Sequence, residues 1–180
     1  MSVLTAQAVS PAPETGVEVD QFKLSMRHLA GAVSVITVGE GDERTGFTAT
    51  SVSSFSVEPP SILVSLNRSS STWPVLQRYG SFAVNILADG QEHVADRFAG
   101  RGGAKGVQRS EGAEWNRLAG GASALADALV VLECDLEEAI DRHSHAILIG
   151  RVRSVILRQD ADPLVYWHGR YRQILPHVEL

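Results

Sequence analysis

Between residues 45 and 60 the chain reads TGFTATSVSSFSVEPP, which carries the hydroxyls of Thr45, Thr48, Thr50, Ser51, Ser53, Ser54 and Ser56 and a single charge, Glu58. Small hydroxyl side chains let a flat ring lie close to the backbone, and their mixed donors and acceptors read the polar edge of such a ring without adding charge. The same composition also suits the solvent face of a strand. Further on, NRSSSTWP (67–74) collects hydroxyls at the start of a helix signal. Unpaired backbone N–H groups and the helix dipole at such a start favour an anion such as phosphate. Plain capping by Ser71 and Thr72 accounts for the same run. A planar polar ring together with a phosphate describes a flavin mononucleotide.

Other chemistries lack their residues. Neither paired carboxylates nor a Ser-His-Asp set can be assembled, and no GxGxxG follows a strand, which argues against a Rossmann nucleotide site. His143 and His145 form an H-x-H pair, but no further Cys or acidic ligand is fixed beside them by spacing, so no metal is expected. His28, His93, His168 and His177 lie in unrelated segments. Cys134, the single cysteine, sits within ALVVLEC and reads as a small hydrophobe; one thiol cannot staple the chain, which fits a reducing, cytoplasmic setting. Tyr166, Trp167 and Tyr171 read most simply as packing residues.

The elements that must position these residues follow from pattern. Asp20 caps a short helix whose Phe22, Met26 and Leu29 recur at helical spacing and which ends near Gly31. AVSVITV (32–38) is a β-branched strand, GEGDERTG a Gly- and Asp-rich turn, and GFTATSV the returning strand. Pro59 and Pro60 stop that segment, and SILVSLN (61–67) and SFAVNIL (81–87) are further apolar strands. A helix opens at Ser71, Thr72 and Pro74 and ends at Gly80; HVADRFAG (93–100) is a second. The glycine-rich stretch 100–115 has no periodicity and reads as a long loop, a length usually tied to function or mobility. LVVLECDL (129–136), HAILIGRVRSVIL (145–157) and PLVYWHGRYRQIL (163–175) are strands, the last folding on itself at His168 and Gly169.

Many strands with short intervening helices predict an antiparallel barrel with helices at its ends. The 180 residues, 44% hydrophobic and 21% charged, suffice for one core. We expect an arm over 1–18, one domain over 19–176 and a tail over 177–180. A net charge of -5 with scattered basic residues argues against nucleic acid, and no apolar run approaches the ~20 residues of a membrane span. Residues 1–18 have no basic and apolar regions of a signal peptide.

GFTATSVSSFSVEPPSILVSLNRSSSTWPVL, FAVNIL, ADRFAG, LECDL and HAILIGRV, in this order, resemble the flavin reductase family, the small reductase components of two-component flavin monooxygenases. SSSTWPV and ADGQE resemble the branch serving a pyrimidine-degrading monooxygenase. The resemblance implies a Greek-key, FMN-binding split barrel, and a homodimer that passes hydride from NADH or NADPH to FMN, or FAD, and hands reduced flavin to a monooxygenase. It implies that Thr48, Ala49, Thr50 and Ser51 line the ring edge, and that Ser53, Ser54, Phe55 and Ser56 continue along the pyrimidine and ribityl part. Ser65, Leu66, Asn67, Ser71 and Thr72 would face the ribityl phosphate, with Phe98 bordering the cofactor. His145 would position the nicotinamide, with Tyr171 and Arg172 within reach of it in the dimer. Family members commonly carry Gly-Asp-His where this chain has His143-Ser144-His145. The fold also serves flavin enzymes that reduce another acceptor, such as a corrinoid, and non-catalytic flavin-binding modules; flavin-dependent NADH oxidation separates these from the reductase.

Overall fold

The computed structural model describes residues 16–158 and 160–174. Most of the expected arm and all of the expected tail, with His177, therefore lie outside the described residues. The first helix, α1 (Val19–Met26), starts one position before Asp20, which sits in its first turn rather than capping it, and ends short of Gly31. None of its residues is buried.

The β-branched run that follows is divided between two sheets. β1 (Gly31–Ala32) and β2 (Ser34–Val38) are separated by Val33, whose N–H bonds to the carbonyl of Leu164 and whose carbonyl accepts the N–H of Leu87. β3 (Thr45–Ala49) returns along β2 but ends earlier than GFTATSV suggested, because residues 50–52 leave it to form a crossing. β4 (Ser53–Val57) and β5 (Pro60–Asn67) make a hairpin, so the double proline lies in a turn and at a strand start. Then come α2 (Thr72–Tyr79), β6 (Ser81–Ile86) and α3 (Glu92–Phe98). Gly80 stops α2 with φ +61°, a left-handed turn that suits glycine. The glycine-rich stretch forms two tight 3₁₀ turns, Arg101–Gly103 and Gly106–Ser110. A small hairpin, β7 (Trp115–Arg117) and β8 (Ser123–Leu125), precedes two long strands, β9 (Val130–Arg142) and β10 (His145–Leu157). β9 outruns its expected end at 136 because its polar continuation, EEAIDR, pairs with β10 outside the core. β11 (Val165–Trp167) and β12 (Arg170–Arg172) form the last hairpin, and β11 pairs with β1.

Seven strands form one antiparallel sheet in the order β3-β2-β6-β9-β10-β5-β4. The two edges, β3 and β4, are consecutive in the chain and joined by residues 50–52, so the sheet must curl to bring them together. Ile36 of β2 and Leu66 of β5, well separated in that order, share one buried cluster with Phe82, Leu76 and Leu148. Alternation along β6 sorts side chains between two cores: Phe82 and Val84 enter this barrel interior, whereas Ala83 packs outside with Val33, Leu87, Phe98 and Ala124. Asn85, on that outer face, donates to the carbonyls of Val35 (3.1 Å) and Ser123 (3.3 Å) and accepts the N–H of Leu125 (2.7 Å), tying β8 to the sheet.

The barrel interior leaves no slack at Gly150. A Cβ there would overlap the Phe82 ring and lie 3.2 Å from Cys134 Cβ. Gly150→Ala is expected to destabilise the protein by about 1–3 kcal/mol, read as a lower denaturation midpoint. Burial, with Asp135 and Glu133 beside it, pushes the Cys134 thiol up to about 12. Ellman's reagent is expected to modify it only in denaturant, and a fast reaction with the folded protein would contradict this packing.

Candidate functional site

β3 has a strand neighbour on one side only. Edge backbone of this kind leaves N–H and C=O groups open for pairing with something other than protein. Across the gap stands the end of β5, and Ser51 stitches the two sides by accepting the N–H of Ser65 on its Oγ at 3.1 Å. A cleft of about 290 Å³ opens at this seam. Phe47 and Thr48 of β3 form one wall, and Ser65, Leu66 and Asn67 of β5 form the other.

The remaining walls come from far along the chain. Asn67 Oδ1 accepts from the N–H and hydroxyl of Ser69, both at 2.9 Å, which leaves its amide NH₂ free to donate. Ser70 lines the cleft and caps α2 by accepting the N–H of Thr72 at 3.2 Å. Phe98 and Ala99, at the end of α3, close another side; Thr48 holds that helix by donating to the carbonyl of Ala95 at 2.6 Å. Gly46 makes the close approach possible, since a Cβ there would sit 2.8 Å from the Phe98 ring. Arg109, from the second 3₁₀ turn, donates to the carbonyls of Gly46 and Ala104 and faces the cleft. Desolvation lowers its pKa, and among the described residues it has no carboxylate partner. A half-buried cation without a counter-ion marks the place where a ligand's anion is welcome.

His145 opens β10 directly opposite Asn67 in register and lines the same cleft. Its Nδ1 lies 2.9 Å from Ser144 Oγ, so Ser144 supplies the hydrogen-bonding neighbour at the position of the family's usual Asp. Arg68 holds this turn against β5: its N–H bonds to the carbonyl of Ser144 (2.9 Å) and its guanidinium pairs with Asp141 (3.0 Å).

Other expected residues lie elsewhere. Thr72 is fully buried and donates to the carbonyl of Gly46 at 3.1 Å, so its hydroxyl pins α2 to β3 beneath the cleft. Ser71 is exposed, makes no side-chain cap and is not on the cleft wall; Ser70 takes the place expected of the pair. Ser53, Ser54, Phe55 and Ser56 are also away from the cleft. Because the chain crosses the seam at 50–52, β4 is carried to the opposite end of β5, pairing with residues 60–63 rather than 65–67, and Ser56 bonds within its own turn to Glu58.

A second space of about 190 Å³ adjoins the cleft, sharing Thr48 and Ala99 with it; Ala49, Thr50, Tyr166 and Tyr171 form its other walls. Tyr171 donates to Asp96 at 2.7 Å, and burial together with that carboxylate raises its pKa. Arg172 points to the opposite face of β12, over the Trp167 ring at 5.9 Å. The cation beside Tyr171 is instead Arg101, 5.9 Å from its ring centroid and 2.8 Å from Asp96. Sequence reasoning missed Arg101, Arg109 and Ser70; the one signal for the two arginines was the long glycine-rich stretch that carries them. Among the described residues no group of three His, Cys, Asp or Glu is placed to hold a metal, and no helix is long and apolar enough to cross a membrane.

Known proteins resemble this chain in sequence and in fold. Residues 26–175 match the model of the flavin reductase like domain. An FMN reductase (NADH), RutF 1, of Methylorubrum extorquens is 40% identical over 161 residues, 88% of this chain and 78% of that protein. BorF, the flavin reductase component of a bacterial two-component tryptophan halogenase, superposes with a TM-score of 0.81 at 33% identity, covering 89% of this chain and all of that one. The NADH:FAD oxidoreductase SgcE6 of Streptomyces globisporus, in complex with NAD and FAD fragments, gives 0.81 at 28% identity over 89% of this chain and 94% of that one. The antiparallel split barrel, the cleft at its open seam and the match along nearly all of its length place this chain in the flavin reductase family.

Proposed function

We propose that this protein is an NADH-dependent flavin reductase that reduces FMN and releases it to a partner monooxygenase. The observation that carries the reading is the seam cleft, where an open strand edge, hydroxyls, two phenylalanines and an uncompensated arginine meet. These groups fit a flavin: Phe47 and Phe98 offer apolar contact to a ring, the free edge of β3 and Thr48 match its polar rim, and Asn67, Ser70 and Arg109 suit the ribityl phosphate. Flavin supplies the acceptor for a hydride from reduced nicotinamide, so the protein's tasks are binding, orientation and exclusion of water. His145, steadied by Ser144 and by the Arg68 clamp, lies beside the cleft where it positions the nicotinamide. Tyr171 and Arg101 border the adjoining space. The relatives' names favour NADH over NADPH and FMN over FAD, and the SSSTWPV resemblance favours a pyrimidine-degrading monooxygenase as recipient.

The chain acts as a homodimer in this reading. Phe55 and Val57 on the edge strand β4, and Val155, Ile156 and Leu157 at the end of β10, are exposed apolar residues that a second copy would cover.

Three measurements test these statements. Arg109→Gln with Ser70→Ala is expected to weaken FMN binding by about tenfold to a hundredfold while leaving riboflavin nearly unchanged, since a hydrogen bond to a charged group is worth roughly 1.5–3 kcal/mol. Equal losses for both flavins would remove the phosphate from this spot. His145→Ala is expected to raise the Michaelis constant for NADH or slow flavin reduction by about tenfold, with flavin titrations unchanged; unaltered kinetics would make His145 structural. Light scattering at micromolar concentration is expected to report a dimer, and a monomer with full reductase activity would contradict it.

A further inference from the structure

Two residues, His143 and Ser144, turn β9 into β10. His143 takes the left-handed conformation, with φ +51°, and both carbonyls of the turn are held by one arginine. The Arg68 N–H meets the Ser144 carbonyl at 2.9 Å, and its guanidinium donates to the His143 carbonyl at 3.4 Å while pairing with Asp141 at 3.0 Å. The Ser144 side chain therefore acts from a fixed base. Its hydroxyl makes one contact among the described residues, to Nδ1 of His145 at 2.9 Å.

A neutral imidazole carries its proton on one nitrogen, and the hydrogen bond made by the other nitrogen decides which. A serine hydroxyl can donate to a bare nitrogen, whereas a carboxylate only accepts and draws the proton towards itself. Donation by Ser144 leaves Nδ1 bare and puts the proton on Nε2, the nitrogen that Ser144 does not engage. The rest of this corner also consists of donors. Asn67, opposite His145 in register, has its Oδ1 taken by Ser69 and offers only its NH₂, and Arg109 on the cleft wall has no acceptor atom in its side chain. No carboxylate lines the cleft. The charged and titratable groups around the ring are Arg142, its register partner on β9, His143 before it, Arg68 at the end of β5 and Arg109; Asp141 is engaged by Arg68. A corner made of donors suits an oxygen of the ligand.

We propose that Ser144 is a positioning residue for the reductant: its hydroxyl donates to Nδ1 of His145 and so presents Nε2–H as a donor to the carboxamide oxygen of the nicotinamide. The assignment rests on the reading that places the nicotinamide beside His145. It has a consequence that mere fastening of the turn lacks. A ring paired in this way carries Nε2–H whether it is neutral or protonated, so its contact with the reductant survives titration. Ser144→Asp reverses this, because the neutral ring then gives Nδ1–H to the carboxylate and only the protonated ring keeps Nε2–H.

Ser144 and His145 are both exposed, so variants at either position are expected to fold. Nitrogen-15 spectra of the FMN-loaded protein above about pH 8, where imidazoles are mostly neutral, read the tautomer directly, with the His145 ring identified by its loss in His145→Ala. Nε2–H is expected in the parent and in Ser144→Thr, which keeps a hydroxyl, and Nδ1–H in Ser144→Asp. In parallel, kcat/KM for NADH is measured between about pH 6 and about pH 8.5, a range over which histidine changes charge. The ratio of Ser144→Asp to parent is expected to fall by about tenfold across that range, the worth of about one hydrogen bond, whereas the ratio for Ser144→Thr stays level. The slope is the readout because an added carboxylate repels an anionic reductant at every pH. A parent ring carrying Nδ1–H, or a Ser144→Asp ratio that stays level while His145→Ala impairs NADH turnover, overturns the inference. If the tautomers are as expected but NADH turnover ignores both Ser144→Asp and His145→Ala, the nicotinamide reading of His145 fails, and the role of Ser144 falls with it.

Discussion

The open seam of the sheet is the constraint on which the rest of the structure depends. β3 and β4 are neighbours in sequence yet opposite edges of a seven-stranded sheet. The short crossing at 50–52 can span that distance only if the sheet curls on itself. Curling buries Ile36, Leu66, Phe82 and Leu148 against one another, which is where the hydrophobic stabilisation lies. The curl does not complete the pairing, however. β3 keeps one unpaired edge, and in water an unpaired edge is satisfied by solvent, by another chain or by a ligand. Here α2, α3 and the 3₁₀ turn carrying Arg109 surround it, leaving a slot in place of another strand.

Much of the polar chemistry around the slot serves to hold its walls. Thr48 commits its donor to Ala95, Thr72 to Gly46, and Ser51 receives Ser65. Each of these hydroxyls bridges two elements that have no other direct hydrogen-bonded ladder, so the hydroxyl-rich run is as much a set of fasteners as a set of ligand contacts. Gly46 belongs to the same arrangement: its missing side chain lets Phe98 approach, and its carbonyl is shared by Thr72 and Arg109. A substitution in this group changes the shape of the slot before it changes any single contact.

Charge follows a comparable division. The chain is acidic overall, yet the described walls of the seam cleft and of the space beside it carry Arg109 and Arg101 and no carboxylate. The acidic residues that do approach, Asp96 above all, are engaged by Arg101 and Tyr171. A locally positive track on an acidic protein attracts small anions while keeping the remaining surface unattractive to nucleic acid.

The strands were legible because alternation and β-branching report burial directly: HAILIGRVRSVIL is β10 to the residue, and SFAVNIL is β6 to within one. The family was legible because long runs such as GFTATSVSSFSVEPPSILVSLN keep both their order and their spacing. Three properties of the site were not. Thr72 and Ser70 are both hydroxyls near a helix start, and only the packing of α2 on β3 sends one inward and leaves the other on the cleft. Ser53 to Ser56 continue the run that contains Thr48, but the crossing at 50–52 moves them to the opposite end of β5, where they pair with residues 61–63, a consequence of strand register that no local pattern records. Arg109 and Arg101 lie in an aperiodic, glycine-rich stretch whose backbone path is set by what it packs against, so their arrival at the cleft and at Tyr171 was decided by the tertiary structure alone. Residue type and period determine which segments are strands and what chemistry the chain can offer; the closure of the barrel determines which of those groups face one another, because it brings together residues that are distant in sequence and separates some that are adjacent.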